Sequence, residues 1–473
     1  MKNVSRRNFL KAAAITTAGG ALAACAPQAT PTPQVVEVEV TKIVEGESKT
    51  VVITATPEPV VDAPIKEGEI RALVLKGPPV EPVQEFMIAA FQAKYPKVSV
   101  KLEYDGAGDS AKYAALAAAG TMADVFFSAD LWVVPFAKNS ISLDLKPLMD
   151  ADKEMDSNDI FPSMLGLGTF GGQVHMLPSS LDVVKMYYNI DLFEKAGAEL
   201  PTDKWTWDDL VANCKKITEM ETEGGNPKYW GLSHASSGVW SWWAAYYPWV
   251  VGYGGKILDA GKSTWSDPKT IEGIKAYTDL WTKHNIAQPL GNDVGGEAFR
   301  MGRAAIYTHI PGVRTGVRTD VGDKFKWDVQ VMPLMPDGKH RTGMGAWGMS
   351  AYSGSKDVEL AYDYVKQLVS PSLQMIMAKK EMGTPLVKSV ANDPAWKANL
   401  PTPPTNVDAF IKGADDAVLP VMDYPADCGS FYAGELNASI TAALESIIRG
   451  ESTVEEALAE IDTTTQSCLD SAS

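Results

Sequence analysis

The sequence predicts an α/β protein of more than one domain. From Glu69 onward, short apolar runs alternate with stretches of helical periodicity, the pattern of strands interleaved with helices. A length of 473 residues exceeds one small domain at the usual ~150 residues each. Hydrophobic residues make up 45% and charged residues 22%, an ordinary mix that buries a sizeable core.

The chain opens on an address rather than on a fold. Lys2, Arg6, Arg7 and Lys11 stand without an acid and precede a small, apolar run from Ala12 to Ala24, the layout of an export signal. Ser5 to Lys11 (SRRNFLK) resembles the twin-arginine signal, and Leu22 to Cys25 (LAAC) resembles a bacterial lipobox. That resemblance implies cleavage after residue 24 and a lipid on Cys25. A signal-anchor helix is the alternative, but the run is shorter than the ~20 residues that span a bilayer. Residues 25–67 then form an expected extended tether, rich in proline and free of aromatic residues, with Val36 to Val40 alternating as in a short strand.

The globular part follows in order. Ile70 to Leu75 reads as a strand, Val83 to Lys94 as a helix, Val98 to Tyr104 as a strand, Ala111 to Ala119 as a helix closed by Gly120, and Val125 to Phe127 as a strand. Thr206 with Asp209 reads as a capping box before the apolar face Leu210, Val211, Cys214 and Ile217. Later helices are marked by Leu360 to Leu368 before Pro371, by Leu436 to Ile448 before Gly450, and by Thr453 with Glu456.

Signals for catalysis are few. Gly166 to Gly171 fits GxGxxG, yet an expected strand at 172–176 stands where the dinucleotide fingerprint needs a helix, so a loop is the better reading. The acids from Asp150 to Asp159 lack the glycine and glutamate of a calcium loop, leaving a solvated acidic turn. The five histidines are far apart in sequence, so no metal ligands or cofactor are expected. A formal charge of −16 argues against nucleic acid as a partner. Of the four cysteines, Cys214 lies on an apolar helix face as a buried thiol, while Cys428 and Cys468 are free to pair outside the cell.

Several segments together resemble the extracellular solute-binding proteins of ATP-binding cassette importers, in the sugar-binding branch that includes the maltodextrin-binding proteins. They are Tyr113 to Val125, Gly172 to Leu192, Phe299 to Ile306, Val329 to Leu334, Ser355 to Leu368 and Gly450 to Leu458. The resemblance implies a two-lobed fold of the type II periplasmic-binding-protein class, with ligand held in the cleft between lobes. It places an N-lobe at 68–176 plus 343–385 and a C-lobe at 178–342 plus 386–473, with crossings at His175 to Pro178 and Met335 to Gly343. It implies a monomeric, non-enzymatic receptor that closes on a carbohydrate and passes it to a membrane permease. Receptors for a peptide, a polyamine or an iron chelate, and an exported glycoside hydrolase, are the competing readings.

A sugar site wants aromatic faces to stack on and carboxylates to accept hydroxyl protons. Ser128, Asp130 and Trp132 follow the strand Val125 to Phe127, and strand ends are where α/β lobes collect ligands. Asp130 reads equally as a helix cap. Asp182 falls where sugar-binding relatives carry an acid just past the first crossing. Trp240, Trp242 and Trp243 lie in the densest aromatic run, Gly238 to Trp249, whose helical stripe also allows Trp243 and Tyr246 a place in the core. Trp347 stands among glycines that would let the backbone approach a ligand. Arg314 occupies the region where many relatives place an aromatic, and is expected to hydrogen-bond the ligand instead. Phe431 or Tyr432 is expected to close the far side.

Overall fold

The computed structural model describes residues 37–44, 47–54, 66–106, 108–233, 245–291, 296–419 and 435–471. Two compact units divide at residue 65.

The first unit departs from the expected tether. Glu37–Val44 pairs antiparallel with Glu47–Thr54 over eight residues, from Glu37 opposite Thr54 to Val44 opposite Glu47. The valines, threonines and isoleucines of this stretch favour extended backbone, so the alternation at Val36 to Val40 continues into a full hairpin.

The second unit holds two main sheets. In the first, the order is Val98–Asp105, Gly68–Leu75, Val125–Ala129, Trp347–Ala351, Leu177–Pro178. The first three strands are parallel, joined by the helices Val80–Lys94 and Ser110–Ala118, and Trp347–Ala351 returns antiparallel. One face packs Ile70, Ala72, Val74, Met87 and Phe91 into a large core, and the other packs Leu73, Tyr113, Phe126 and Phe136. This in-and-out alternation along Gly68–Leu75 is what a strand covered on both faces requires.

The second sheet runs Trp230–Ser233, Ala304–His309, Lys185–Asn189, Trp327–Gln330. Val184, Met186 and Tyr188 enter one core with Trp205, Trp249 and Trp265, while Tyr187, Tyr307 and Trp327 enter another on the opposite face. Thr206 and Asp209 do form a reciprocal capping box on the helix Trp207–Met220, and its Leu210, Cys214 and Ile217 are buried. The closing helices Glu435–Arg449 and Val454–Ser471 lay Leu436, Ile440, Leu444, Leu458 and Ile461 on the same core.

Crossings between the lobes sit slightly later than expected. Leu177–Pro178 still belongs to the first sheet, and the chain crosses through Asp182–Val183, paired antiparallel with Met344–Gly345. The two strands share this step because each must satisfy its backbone groups while leaving one sheet for the other. A further correction concerns the segment after residue 385. Leu386, Val387, Val390, Ala391 and Trp396 pack in the first lobe's core, while Ala409 and Phe410 pack in the second lobe, where the amides of Thr405 and Asn406 also donate to Asp328. The glycine run at 166–171 is no dinucleotide loop: Pro162–Leu167 is helical, and Thr169–Phe170 pairs with Gln173–Val174. The expected strand at 172–176 shrinks to those two residues. Among the described residues, no helix is long and apolar enough to cross a membrane.

Candidate functional site

The end of the strand Val125–Ala129, the start of Trp347–Ala351 and the crossing Asp182–Val183 meet at one place. Trp347 lies opposite Ala129, Gly348 opposite Ser128 and Gly345 opposite Asp182. Directly paired residues in an antiparallel ladder have Cα atoms about 4.5–5.5 Å apart. Residues far apart in sequence are thereby brought into one cluster.

Asp130 opens a single helical turn, Asp130–Trp132. Its carboxylate accepts hydrogen bonds from the Leu131 amide at 2.8 Å and the Ala346 amide at 3.1 Å, while its own amide donates to the Ala346 carbonyl at 3.2 Å. The cap position of this turn is Ala129, so Asp130 is not the helix cap, and its carboxylate instead pins the neighbouring strand. Asp182 accepts from the Ser180 hydroxyl at 2.8 Å. Both acids are buried. Burial pushes each up to about 6. For Asp130 the two amides oppose the rise and the charge of Asp182 adds to it; for Asp182 the Ser180 hydroxyl and the Arg314 guanidinium oppose it.

Beside the acids stands an aromatic floor. Trp347 stacks on Phe127 with ring centroids 6.2 Å apart and planes 18° from parallel. Trp132 meets Phe127 edge-on at 5.4 Å and leans on Tyr113 at 5.2 Å. Trp132 and Trp347 remain half-buried. Ser128 is buried. Gly348 serves a backbone rather than a ligand: a Cβ there would stand 2.3 Å from the Leu177 carbonyl oxygen. Phe127 was legible only as a strand residue, and Ser180 and the Ala346 amide only emerge from the pairing.

Arg314 departs from its expected role. It is 2% exposed, so no ligand reaches it in this arrangement. Its Nε donates to Glu381 at 3.0 Å and its guanidinium lies 5.4 Å from the Phe410 ring centre. Glu381 also accepts from both terminal nitrogens of Arg318, at 3.0 and 2.8 Å. No local signal at residue 314 betrays a partner 67 residues away.

The aromatic run divides. Tyr246 and Trp249 are core residues, Tyr246 against Trp265 at 5.6 Å and Trp249 against Trp207 at 4.0 Å. Trp240, Trp242, Trp243 and Tyr432 lie outside the described residues, as do Cys25 and Cys428. Cys214 is a buried free thiol, and Cys468 is disulfide-bonded. The acidic turn is partly tied down, with Asp152 paired to Lys366 at 2.7 Å.

Residues 76–375 match the model of the bacterial extracellular solute-binding proteins. The chain belongs to that family. Residues 3–23 match the signal sequence of the twin-arginine translocation pathway, so the protein carries an address for export from the cytoplasm. A probable ABC transporter-binding protein of Deinococcus radiodurans is 25% identical over 254 residues, 52% of this chain; the chain spans 60% of that relative's length. A putative binding protein of Brucella abortus is 26% identical over 403 residues, 81% of this chain and 89% of that protein. Among solved structures, an ABC substrate-binding protein of Listeria monocytogenes in complex with cycloalternan superposes with a TM-score of 0.68 at 22% identity, covering 86% of this chain and 100% of that one. The two-lobed type II fold expected from the sequence is therefore the fold observed. The protein is a solute-binding protein that carries an export address, and its family is one of binding proteins.

Proposed function

We propose that this receptor captures a neutral carbohydrate, an oligosaccharide, by closing its lobes, and delivers it as a monomer to the permease of an ABC importer. The observation that carries the reading is the pairing of Asp130 and Asp182 with the half-buried faces of Trp132 and Trp347 at the strand ends beside the crossing. Carboxylates accept hydroxyl protons, and indole faces cover the C–H side of a sugar ring. Two acids at one site also repel phosphate and other anions. The Listeria structure, whose bound cycloalternan is a carbohydrate, supports the same ligand class. In this reading Trp240, Trp242, Trp243, Tyr432 and Ser128 also contact the sugar. Arg314 supports the site from behind rather than touching the sugar.

A panel of linear and cyclic oligosaccharides screened by thermal shift tests the ligand class, because ligand at ~100 times its Kd stabilises the native state by roughly 2.7 kcal/mol. Stabilisation by glycerol 3-phosphate, a polyamine, a peptide or a ferric chelate, with none by any sugar, would overturn it. Hydrolysis of a panel sugar by the pure protein would make it a glycoside hydrolase instead. We further propose that a lipid on Cys25 holds the exported protein at the membrane. Membrane fractionation of the native chain against Cys25→Ala tests this, and equal retention of both refutes it.

A further inference from the structure

Arg314 and Arg318 lie on the helix Arg314–Val321, whose Val317 and Val321 pack in the second lobe. Glu381 follows the helix Pro371–Lys379, whose Leu373 and Met377 pack in the first. Their hydrogen bonds therefore join the two lobes. Four features make this more than a surface ion pair. Glu381 receives three N–H groups while only 11% of its side chain is exposed. Its backbone is left-handed, at φ 56°, a conformation that non-glycine residues adopt at an energetic cost and keep where the surroundings enforce it. Arg318 continues across to the carbonyls of Pro403 at 2.7 Å and Pro401 at 3.1 Å. Finally, the Nη2 of Arg314 is buried without a hydrogen-bond partner among the described residues.

The crossing lies alongside. The Leu181 amide donates to the Thr384 carbonyl at 2.8 Å, so Glu381 stands three residues from a bond to the segment that carries Asp182. The turn Pro311–Val313, whose Pro311 carbonyl accepts from Nη1 of Arg314 at 3.5 Å, packs against Asp182–Val183, so Arg314 from the second lobe faces Asp182 together with Ser180 from its own segment and Asp130 from the first.

We propose that Arg314 is a positioning residue that couples the ligand carboxylate Asp182 to the angle between the lobes. Glu381 and Arg318 form the latch that holds its guanidinium in place. The proposal rests on the carbohydrate reading for the role of Asp182, but the latch itself does not. Glu381 fixes Arg314 where its charge favours the ionised form of Asp182, the form that accepts a sugar hydroxyl. Any rotation of the lobes that pulls Glu381 from the two arginines also withdraws that charge. A ligand that draws on Asp182 thus favours the latched angle, and the latch favours the acceptor form, which is reciprocal coupling between site and hinge.

The test uses ligand-free, full-length mature protein. Small-angle scattering reports the lobe angle, and carbon-13 NMR of labelled aspartate, assigned with Asp182→Asn, reports the Asp182 titration midpoint. The variants are Glu381→Gln, Arg314→Gln and the conservative Arg314→Lys, which keeps the charge should the neutral variant fail to fold. Glu381→Gln is expected to widen the scattering envelope. Arg314→Gln should do the same and raise the Asp182 midpoint, whereas Arg314→Lys should widen the envelope and restore most of the midpoint. Wild-type scattering together with a wild-type midpoint in Glu381→Gln and in whichever Arg314 variant folds would overturn the proposal. Neither readout needs a sugar, so failure here leaves the carbohydrate reading standing. Conversely, loss of that reading would show as unchanged sugar titrations in Asp182→Asn.

Discussion

Asp182→Asn should make the empty protein more stable and the receptor worse. Burial raises the Asp182 carboxyl from its ordinary 3.8 to about 6. Because the folded value lies above the unfolded one, the associated stability is fully present below pH 4 and is lost as the pH climbs through 6. At about 1.4 kcal/mol for each pH unit, the ionised acid costs the folded state roughly 2–3 kcal/mol above pH 7. Asparagine keeps the shape and the acceptor oxygen for Ser180 but carries no charge to bury. Urea titrations of the ligand-free proteins, followed by tryptophan fluorescence, should therefore show the variant more stable by roughly that amount at pH 7.5 and equal to wild type near pH 4. Sugar affinity should move the other way, falling about ten- to a hundredfold with the loss of a charge-assisted hydrogen bond. A variant less stable than wild type at pH 7.5, or a stability difference that does not change between pH 4 and 7.5, would refute the reasoning. This opposition is what a residue kept for function rather than for folding produces.

Trp347→Ala should weaken sugar binding and abolish the fluorescence change on closure, with a modest loss of stability because the ring is only half-buried; titration calorimetry and melting read both. Trp265→Ala should do the reverse, costing ~3–5 kcal/mol of stability while leaving the affinity of folded molecules unchanged, since Trp265 is fully buried. Lys185, buried with its ammonium on the Lys412 carbonyl at 2.5 Å, is drawn down to about 7 by desolvation. Its folded value lies below the unfolded one, so wild type should gain stability between pH 7 and 10, and Lys185→Met should lose most of that gain in urea titrations. Cys214 sits against the Gly231 carbonyl with its thiol pushed up by burial, so a thiol reagent should modify it only after unfolding.

The acids and indoles of the first lobe were legible because they sit where chemistry and local pattern coincide. A strand such as Val125–Ala129 announces itself by its apolar run, and the polar residues just past its end have few uses other than capping or contact. Asp182 stood out as an acid in an otherwise apolar segment, and the structure buries it beside Asp130. The aromatic run was legible only in part. Helical spacing places residues on one face, yet it cannot tell whether that face meets a core or a cleft, and Tyr246 and Trp249 went to the core.

By itself, the sequence determined the export address, the α/β class, the capping boxes and most strands and helices, because each depends on residues within a turn or two of one another. The tertiary structure alone decided where the chain changes lobes, that residues 386–396 return to the first core, and that Arg314 belongs to Glu381. Those outcomes turn on pairings between segments distant in sequence, such as Gly345 with Asp182, which packing and backbone hydrogen bonding settle. Ionisation of Asp130 and Asp182 was likewise hidden, since desolvation is a property of everything folded around a carboxylate and of no residue beside it in the chain.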